Sequence, residues 1–207
     1  MPPTTPEPQK QRPNRVAGVV LAAGAASRFG SPKALAIVDG RPMLQHVLDI
    51  AATAGLDPVV VVLGQAAAEI EAAMSWRHEA RVVNPDPGRG LASSLLLGLR
   101  AVAAKRPRLE AAVILLGDQL RVRPEVIAAL VERAASTERP IVVARYRGGG
   151  GPNPVVIARS AFDLAVQLEG DRGLGPLIEA RPDLVAVVDV TGTNPDVDTP
   201  ADLAGLV

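Results

Sequence analysis

The chain has 207 residues, 48% of them hydrophobic, and its 22 basic and 22 acidic residues leave no formal net charge. This balance disfavours a nucleic-acid-binding protein, which usually carries a basic excess. No apolar run approaches the roughly 20 residues that a membrane span needs. The absence of cysteine excludes disulfides, thiolate metal sites and cysteine nucleophiles. We therefore expect one globular domain in the cytoplasm, with neither nucleic acid nor a membrane as its partner.

The chain begins with a polar, proline-rich segment. Residues 1–15 contain five prolines, and the first ten residues lack the apolar core of a signal peptide. Such a segment cannot bury enough apolar surface to fold. We predict a disordered tail over residues 1–15 and a single domain over residues 16–207.

Short apolar runs alternate with helical stretches after the tail. The predicted strands are Val16–Ala22, Val59–Leu63, Arg81–Val83, Ala111–Leu116, Ile141–Ala144, Val155–Ala158 and Leu184–Val190. The predicted helices are Arg41–Ala54, Ala66–Met74, Ser93–Ala104, Pro124–Ala135, Ser160–Leu168 and Thr199–Leu206. This alternation predicts an α/β fold with a doubly wound, three-layer domain.

The predicted sheet is mostly parallel. The runs AVILL and VVVVL are apolar without alternation, as in strands covered by helices on both faces. One pair differs, because IVVARY and PVVIA are joined by RGGGGPN, which leaves no room for a crossover helix. An antiparallel pair there makes the sheet mixed.

The segment LAAGAASRFGSPK follows the first strand and has the composition of a phosphate cradle. Gly24 and its alanine neighbours allow backbone N–H groups to approach an anion, and Arg28 and Lys33 add positive charge. Ligands bind beyond the carboxyl ends of strands in doubly wound sheets, where this segment lies. It is neither a Walker A loop, because Gly24 and Gly30 are six residues apart, nor a GxGxxG dinucleotide loop.

The same segment resembles the LAAGxSxRxGxxK signature of the MobA-like nucleotidyltransferase family. Further segments resemble that family in the same order: NPDPGRGLASSLLLGL (Asn84–Leu99), LLGDQL (Leu115–Leu120), GPNPVVI (Gly151–Ile157), EGDRGLGPLI (Glu169–Ile178) and DVDTPADL (Asp196–Leu203). The chain departs from the family pattern at three positions. Leu120 replaces a proline, Asn153 stands where relatives often have histidine, and Gly175 stands where many have a basic residue.

The resemblance implies a nucleotide-diphospho-sugar transferase-like fold and a reaction that moves a nucleoside monophosphate from an NTP to a phosphate acceptor. It implies Mg²⁺ as cofactor, with Asp118 and Asp198 as metal ligands. Arg28, Lys33 and Asp118 would be catalytic. The implied nucleotide-binding residues are Leu21, Ala22, Ala23, Gly24, Ser27, Arg28, Lys33, Asn84, Ser93 and Ser94, and the implied acceptor-binding residues are Asn153, Asp171 and Arg172.

Structural roles remain open for several of these residues. Asp118 could cap the following turn, Asp198 could form an Asx-turn before Thr199, and Ser93 and Ser94 could cap a helix.

The LAAG form of the first motif resembles that of cytidylyl enzymes, whereas guanylyl enzymes tend to carry LAGG. The resemblance therefore implies CTP as donor, molybdopterin's terminal phosphate as acceptor and, as a further partner, a molybdoenzyme. One alternative is a cytidylyl- or uridylyltransferase for a sugar or lipid-precursor phosphate. Two alternatives of another class are a nicotinamide-dependent oxidoreductase of the nicotine-blue type and a non-catalytic molybdenum-cofactor accessory factor.

Overall fold

The computed structural model describes residues 15–24, 31–195, 197, 199 and 202. Residues 1–14 of the predicted tail lie outside these ranges, whereas Arg15 is described and donates a hydrogen bond of 2.5 Å to the carboxylate of Glu110. The predicted last helix also lies mostly outside them. Thr199 and Asp202 are described, and each accepts a hydrogen bond from the other's amide through its side chain, as in a capping box.

The described strands are short apolar runs. They are β1 (Val16–Ala22), β2 (Ile37–Val38), β3 (Arg41–Pro42), β4 (Val59–Leu63), β5 (Ala80–Val83), β6 (Ala111–Leu116), β7 (Ile141–Tyr146), β8 (Val155–Ala158) and β9 (Val185–Val190). The ranges of β1, β4, β6 and β8 coincide with the predicted ones, because each is a continuous apolar run that ends at a turn residue or a helix start.

Seven of the described strands form one sheet in the order β5-β4-β1-β6-β8-β7-β9. β1 pairs in parallel with β4 and β6, β4 with β5, and β7 with β9. β8 runs antiparallel to both β6 and β7. The predicted mixed, mostly parallel sheet is therefore confirmed. Since β1 and β6 are adjacent and parallel, the loops that follow them open at the same edge of the sheet.

Helices cover both faces of this sheet. The α-helices of the described residues are α1 (Met43–Thr53), α2 (Ala67–Ala73), α3 (Leu91–Lys105), α4 (Pro124–Ala135) and α5 (Gly175–Ala180). Apolar side chains of α1, α2 and α4 form one core cluster with one face of the sheet. Those of α3 and of the 3₁₀ segment Arg159–Gln167 form a second cluster with the opposite face. The predicted three-layer α/β fold is confirmed.

The central strand β1 contributes to both clusters by simple alternation. Val20 packs in the cluster of α1, whereas Val19 and Leu21 pack in the cluster of α3. Buried leucines such as Leu95 and Leu99 hold α3 against the sheet, and each contributes about 1.5–3 kcal/mol of transfer free energy. This packing fixes the first turn of α3 over the carboxyl end of β1.

Four predicted helices differ from the structure, two of them only at their ends, since Ser93–Ala104 is α3 (Leu91–Lys105) and Ala66–Met74 is α2 (Ala67–Ala73). The helix predicted from Arg41 begins at Met43, because Arg41 and Pro42 form a hairpin with β2. The turn of this hairpin is Asp39–Gly40, with φ of 45° and 75°, and Asp-Gly is a favoured pair for such a turn. The helix predicted over Ser160–Leu168 is the 3₁₀ segment Arg159–Gln167. No helix within the described residues is both long and apolar enough to cross a membrane.

Candidate functional site

The cradle segment lies at the carboxyl end of β1. Ala23 and Gly24 follow this strand directly, and a Cβ placed on Gly24 would have no neighbour within 4 Å, so its backbone faces open space. On the other side, a Cβ on Gly64 would lie 2.5 Å from the carbonyl oxygen of Ala23. Only glycine at position 64 therefore lets the turn after β4 pack against the cradle. Ser27 and Arg28 lie outside the described residues.

A cavity of about 530 Å³ opens between this cradle, the end of β6 and the start of α3. It contains eight of the predicted site residues. These are Leu21, Ala22, Ala23, Gly24, Lys33, Ser94, Asp118 and Asp171. The topology brings them together, because β1 and β6 are neighbours and α3 packs across their ends. We call this space the central cavity.

Lys33 and Asp118 form an ion pair in the central cavity. The Lys33 Nζ donates a hydrogen bond of 2.6 Å to Asp118 Oδ2, and the two side chains are 20% and 24% exposed. Lys33 opens a 3₁₀ turn after the cradle, whereas Asp118 follows Gly117 at the end of β6. The cation therefore contacts the carboxylate that the resemblance assigns to the metal.

The chemistry of this cavity fits a divalent metal that arrives with a nucleotide. Among the described residues, no three His, Cys, Asp or Glu side chains lie together as a metal cluster. Mg²⁺ commonly takes one or two carboxylates and completes its coordination with phosphates and water. Asp118 supplies one carboxylate, and Asp171 lines the same cavity. The other predicted ligand, Asp198, lies outside the described residues.

Three of the predicted nucleotide-binding residues, Asn84, Ser93 and Ser94, occupy different environments. Asn84 is buried, and its Nδ2 donates hydrogen bonds of 2.8 and 2.9 Å to the hydroxyls of Ser93 and Ser94. Its Oδ1 accepts one from the amide of Asp86. Asn84 thus joins the loop after β5 to the first turn of α3. Ser94 lines the central cavity, whereas Ser93 donates to the Gly90 carbonyl and lines a separate groove.

The predicted acceptor residues lie around a second, smaller cavity. Asn153 and Arg172 line a space of about 290 Å³ that shares Leu21, Leu91 and Leu116 with the central cavity. Asp171 lines the central cavity itself. We call the smaller space the side cavity.

Gly90, at the start of α3, lies in close contact with the loop that carries Asp171 and Arg172. Its φ is 89°, and a Cβ there would lie 2.4 Å from the carbonyl carbon of Gly170. The Gly170 carbonyl in turn accepts a hydrogen bond of 3.0 Å from the Ala92 amide. The loop that carries Asp171 and Arg172 is thereby docked on the start of α3. The sequence shows the glycine, but this close approach is visible only in the fold.

Several lining residues were not predicted. Leu91, Leu116, Gly117 and the Pro87–Gly88 turn line the central cavity, and Glu179 lines the side cavity. The segment DPGRG lies inside the second family-like motif, so its glycines and proline were an available signal. No sequence signal indicated Glu179, because its position in the cavity wall depends on the short helix α5.

Known proteins resemble this chain over most of its length. Nicotine blue oxidoreductase of Paenarthrobacter nicotinovorans is 34% identical over 196 residues, which cover 89% of this chain and 92% of that protein. CMP-5'-(3-aminopropyl)phosphonate synthase of Streptomyces rubellomurinus is 36% identical over 64% of this chain. The chain spans only 21% of that synthase, and 24% of a bifunctional GlmU of Desulfitobacterium hafniense that is 34% identical.

Solved structures share the fold. Crystal structures of Rv0371c from Mycobacterium tuberculosis H37Rv superpose with TM-scores of 0.83 and, for a manganese complex, 0.80. They are 36% and 33% identical to this chain, and the matches cover 92% of it and 96% and 97% of those chains. The predicted nucleotide-diphospho-sugar transferase-like fold is confirmed.

The family match defines the class of this protein: its domain is that of an NTP transferase, a transferase of phosphorus-containing groups. The profile described as MobA-like NTP transferase domain matches residues 18–185. The chain belongs to that family, and the predicted resemblance is confirmed.

Proposed function

We propose that this protein transfers CMP from CTP to the terminal phosphate of a molybdopterin-type acceptor. An oxygen of the acceptor phosphate attacks the α-phosphorus of CTP, the bond from that phosphorus to the bridging oxygen breaks, and pyrophosphate leaves. The observation that carries the proposal is the Lys33–Asp118 pair at the base of the central cavity. The pair brings a cation together with the carboxylate that we assign to the metal, in a cavity that the cradle and Asp171 also line.

Such a reaction needs alignment and charge neutralisation rather than a protein nucleophile. Two unit charges of the same sign repel by about 4 kcal/mol at 4 Å when the effective dielectric constant is 20. Lys33 and, from the cradle, Arg28 would bind phosphates of the nucleotide. Asp118 would hold a divalent metal, assigned as Mg²⁺, and such an ion would offset negative charge on the triphosphate. Asp198 stays a proposed second ligand.

Lys33 has a second part in this proposal. Its Nζ donates a hydrogen bond to Asp118. A triphosphate offers Lys33 a stronger anionic partner, and the freed carboxylate becomes available to the metal that accompanies the nucleotide. The pair thereby couples nucleotide binding to metal binding.

We assign the base to a third space of about 510 Å³ beside the cradle. It is lined by Ala22, Ala23 and Gly24 on one side and by Gly64 and Gln65 on the other. Ala23 is 8% exposed and packs in the core cluster of α3, so its methyl group narrows this space only slightly. The choice of CTP therefore depends on the LAAG motif and on the relative named as a CMP-phosphonate synthase.

A second candidate function is that of the oxidoreductase. It is favoured by one observation, the 34% identity to nicotine blue oxidoreductase over nearly the whole of both chains. Against it, the chain has no GxGxxG loop for a dinucleotide. A non-catalytic molybdenum-cofactor accessory factor would bind the acceptor without turnover.

One experiment separates these candidates. The protein is incubated with each NTP, Mg²⁺ or Mn²⁺, and molybdopterin, and pyrophosphate is measured. We expect pyrophosphate with CTP only when both metal and acceptor are present, and none from the Asp118→Asn variant. A parallel reaction with NADPH and nicotine blue follows NADPH oxidation. NADPH consumption without any pyrophosphate from the NTPs would replace the transferase proposal with the oxidoreductase. Tight binding of molybdopterin with neither product would indicate the accessory factor.

A further inference from the structure

A separate groove of about 550 Å³ runs along the outer side of α3. Four residues of this helix line it, and their spacing of three and four positions places them on one helical face: Ser93, Leu96, Leu97 and Arg100. The same helix packs against the sheet through Leu95 and Leu99. The other walls are the loop after β5 and the chain at the end of the 3₁₀ segment Arg159–Gln167. We call this space the outer groove.

The outer groove exposes apolar side chains to solvent. Val166 lines it and is 52% exposed. Leu96, Leu97 and Leu168 line it as well and are half-buried. Apolar side chains that are grouped at the surface and rimmed by polar residues are typical of an interaction site. The groove therefore has the composition of a docking surface for another macromolecule.

Four charged residues surround these apolar side chains, two of them basic and two acidic. They are Arg89, Arg100, Asp86 and Glu169. None of the four forms an ion pair with another described residue. Exposed charges elsewhere on the described surface do pair, as in Arg145–Asp189 and Arg181–Asp183. The outer groove thus carries two cations and two anions that are available to a partner.

Equal numbers of the two charges indicate the kind of partner. A partner of one charge sign would place like charges beside two of the four residues, which is unfavourable. A second copy related by a two-fold axis presents the same two cations and two anions, so the arginines of one copy can meet the acidic residues of the other. Two-fold dimers are the commonest oligomers, and both chains use the same self-complementary patch. Charge complementarity therefore favours a second copy of this chain.

We propose that the outer groove is the interface of a two-fold symmetric homodimer. Val166 and the half-buried leucines of the two copies pack together at its centre, and the arginines of each copy pair with the acidic residues of the other at its rim. The inference does not depend on the proposed transferase function, because none of these contacts involves the nucleotide or the acceptor.

The first test measures the mass of the full-length protein by sedimentation equilibrium. We expect twice the 21.4 kDa of one chain, with a dimer Kd of about 10 μM or lower. Val166→Glu places a charge in the apolar centre and should raise this Kd by at least about tenfold. Val187→Glu is the matched control, because Val187 is 42% exposed on β9, and its Kd should equal that of the wild type.

The second test reverses the charges of the groove. An acidic variant carries Arg89→Glu and Arg100→Glu, and a basic variant carries Asp86→Lys and Glu169→Lys. Each alone presents one charge sign to its own copy and should be a monomer. An equimolar mixture of the two restores opposite charges across the interface and should form a heterodimer. Melting temperatures show that each variant is folded, and the single changes Arg100→Glu and Glu169→Lys replace a double variant that is not.

A wild-type protein that stays monomeric at about 100 μM overturns the proposal. A dimer that Val166→Glu and the charge variants leave intact, while Val187→Glu dissociates it, overturns it too, because the copies then meet at another surface. A mixture of folded acidic and basic variants that remains monomeric overturns the reciprocal pairing of charges. Pyrophosphate release has no part in these measurements, so a failure of the transferase function leaves them unchanged.

Discussion

Lys33 and Asp118 illustrate what a sequence can and cannot show at the scale of single residues. Their presence in one site was predictable, because one motif follows β1, the other follows β6, and neighbouring parallel strands end at the same edge of a sheet. The direct contact between the two side chains was not predictable from the sequence. A lysine side chain turns toward the nearest available anion, and the position of that anion depends on the fold. Asn84 is a second example, since the hydrogen bonds from its amide to two hydroxyls of α3 also depend on the fold.

The first prediction concerns Asp118. Asp118→Asn keeps the shape and one acceptor oxygen but loses the charge that would hold the metal and that now pairs with Lys33. We expect turnover, measured as pyrophosphate release, to fall by about 100-fold or more, mainly in kcat, and the melting temperature to change little. Near wild-type turnover would indicate that Asp171 or Asp198, and not Asp118, holds the metal. A failure to fold would indicate that Asp118 has a structural capping role.

The second prediction separates the two functions of Lys33. In the Lys33→Met variant the cation no longer competes for Asp118, so Mn²⁺ should bind the nucleotide-free protein about fivefold more tightly, equivalent to about 1 kcal/mol for a partly exposed ion pair. The same variant should have a higher KM for CTP, because it lacks a phosphate-binding cation. Free Mn²⁺ is measured by electron paramagnetic resonance. Asp118→Asn is the control that should weaken Mn²⁺ binding, and unchanged Mn²⁺ binding by Lys33→Met would contradict the coupling.

At the scale of elements, the strands were more predictable than the short helices. Continuous apolar runs define β1, β4, β6 and β8, because burial on both faces requires them. The helix α5 was missed, since its six residues GPLIEA are too few to show a helical period. The site depends on this missed element: α5 provides Ile178 and Glu179 of the side cavity.

A third prediction concerns the segment between α2 and β5. Glu79 is 6% exposed. Burial by itself would raise the pKa of Glu79, but hydrogen bonds from the Arg77 amide and from its own amide, with the Arg77 guanidinium nearby, hold this pKa below its usual range. A lowered folded-state pKa stabilises the protein above the pKa of the unfolded chain, and this contribution is lost as pH falls through the folded-state value.

Glu79→Gln should therefore be less stable than the wild type at pH 7, and the difference should shrink as the pH falls below the usual pKa of glutamate. Urea unfolding at several pH values measures this. Glu69→Gln, at an exposed glutamate of α2, is the matched control for the substitution itself and is unfolded at the same pH values. A difference between Glu79→Gln and wild type that is constant with pH would contradict the assignment.

At the scale of the whole molecule, the order of the strands explains where the sites lie. The cradle after β1, Asp118 after β6 and the first turn of α3 meet at one edge of the sheet and form the central cavity. The antiparallel strand β8 lies on the far side of β6 and supplies Val155 to the side cavity. The sequence predicted this antiparallel strand, but not that its insertion beside β6 would create a second cavity.

The last prediction uses the stability of the whole protein as the measurement. A ligand that binds only the folded state at 100 times its Kd stabilises that state by about 2.7 kcal/mol, which for a chain of this size raises the melting temperature by about 5–10 °C. We expect CTP with Mg²⁺ to give a larger shift than GTP with Mg²⁺ or NADPH. GTP carries the same triphosphate, so the comparison separates recognition of the base from charge alone. The CTP shift should also shrink in Lys33→Met, which lacks one phosphate contact. If NADPH gives the largest shift and CTP gives none, the central cavity binds a nicotinamide nucleotide, and the oxidoreductase becomes the function of this fold.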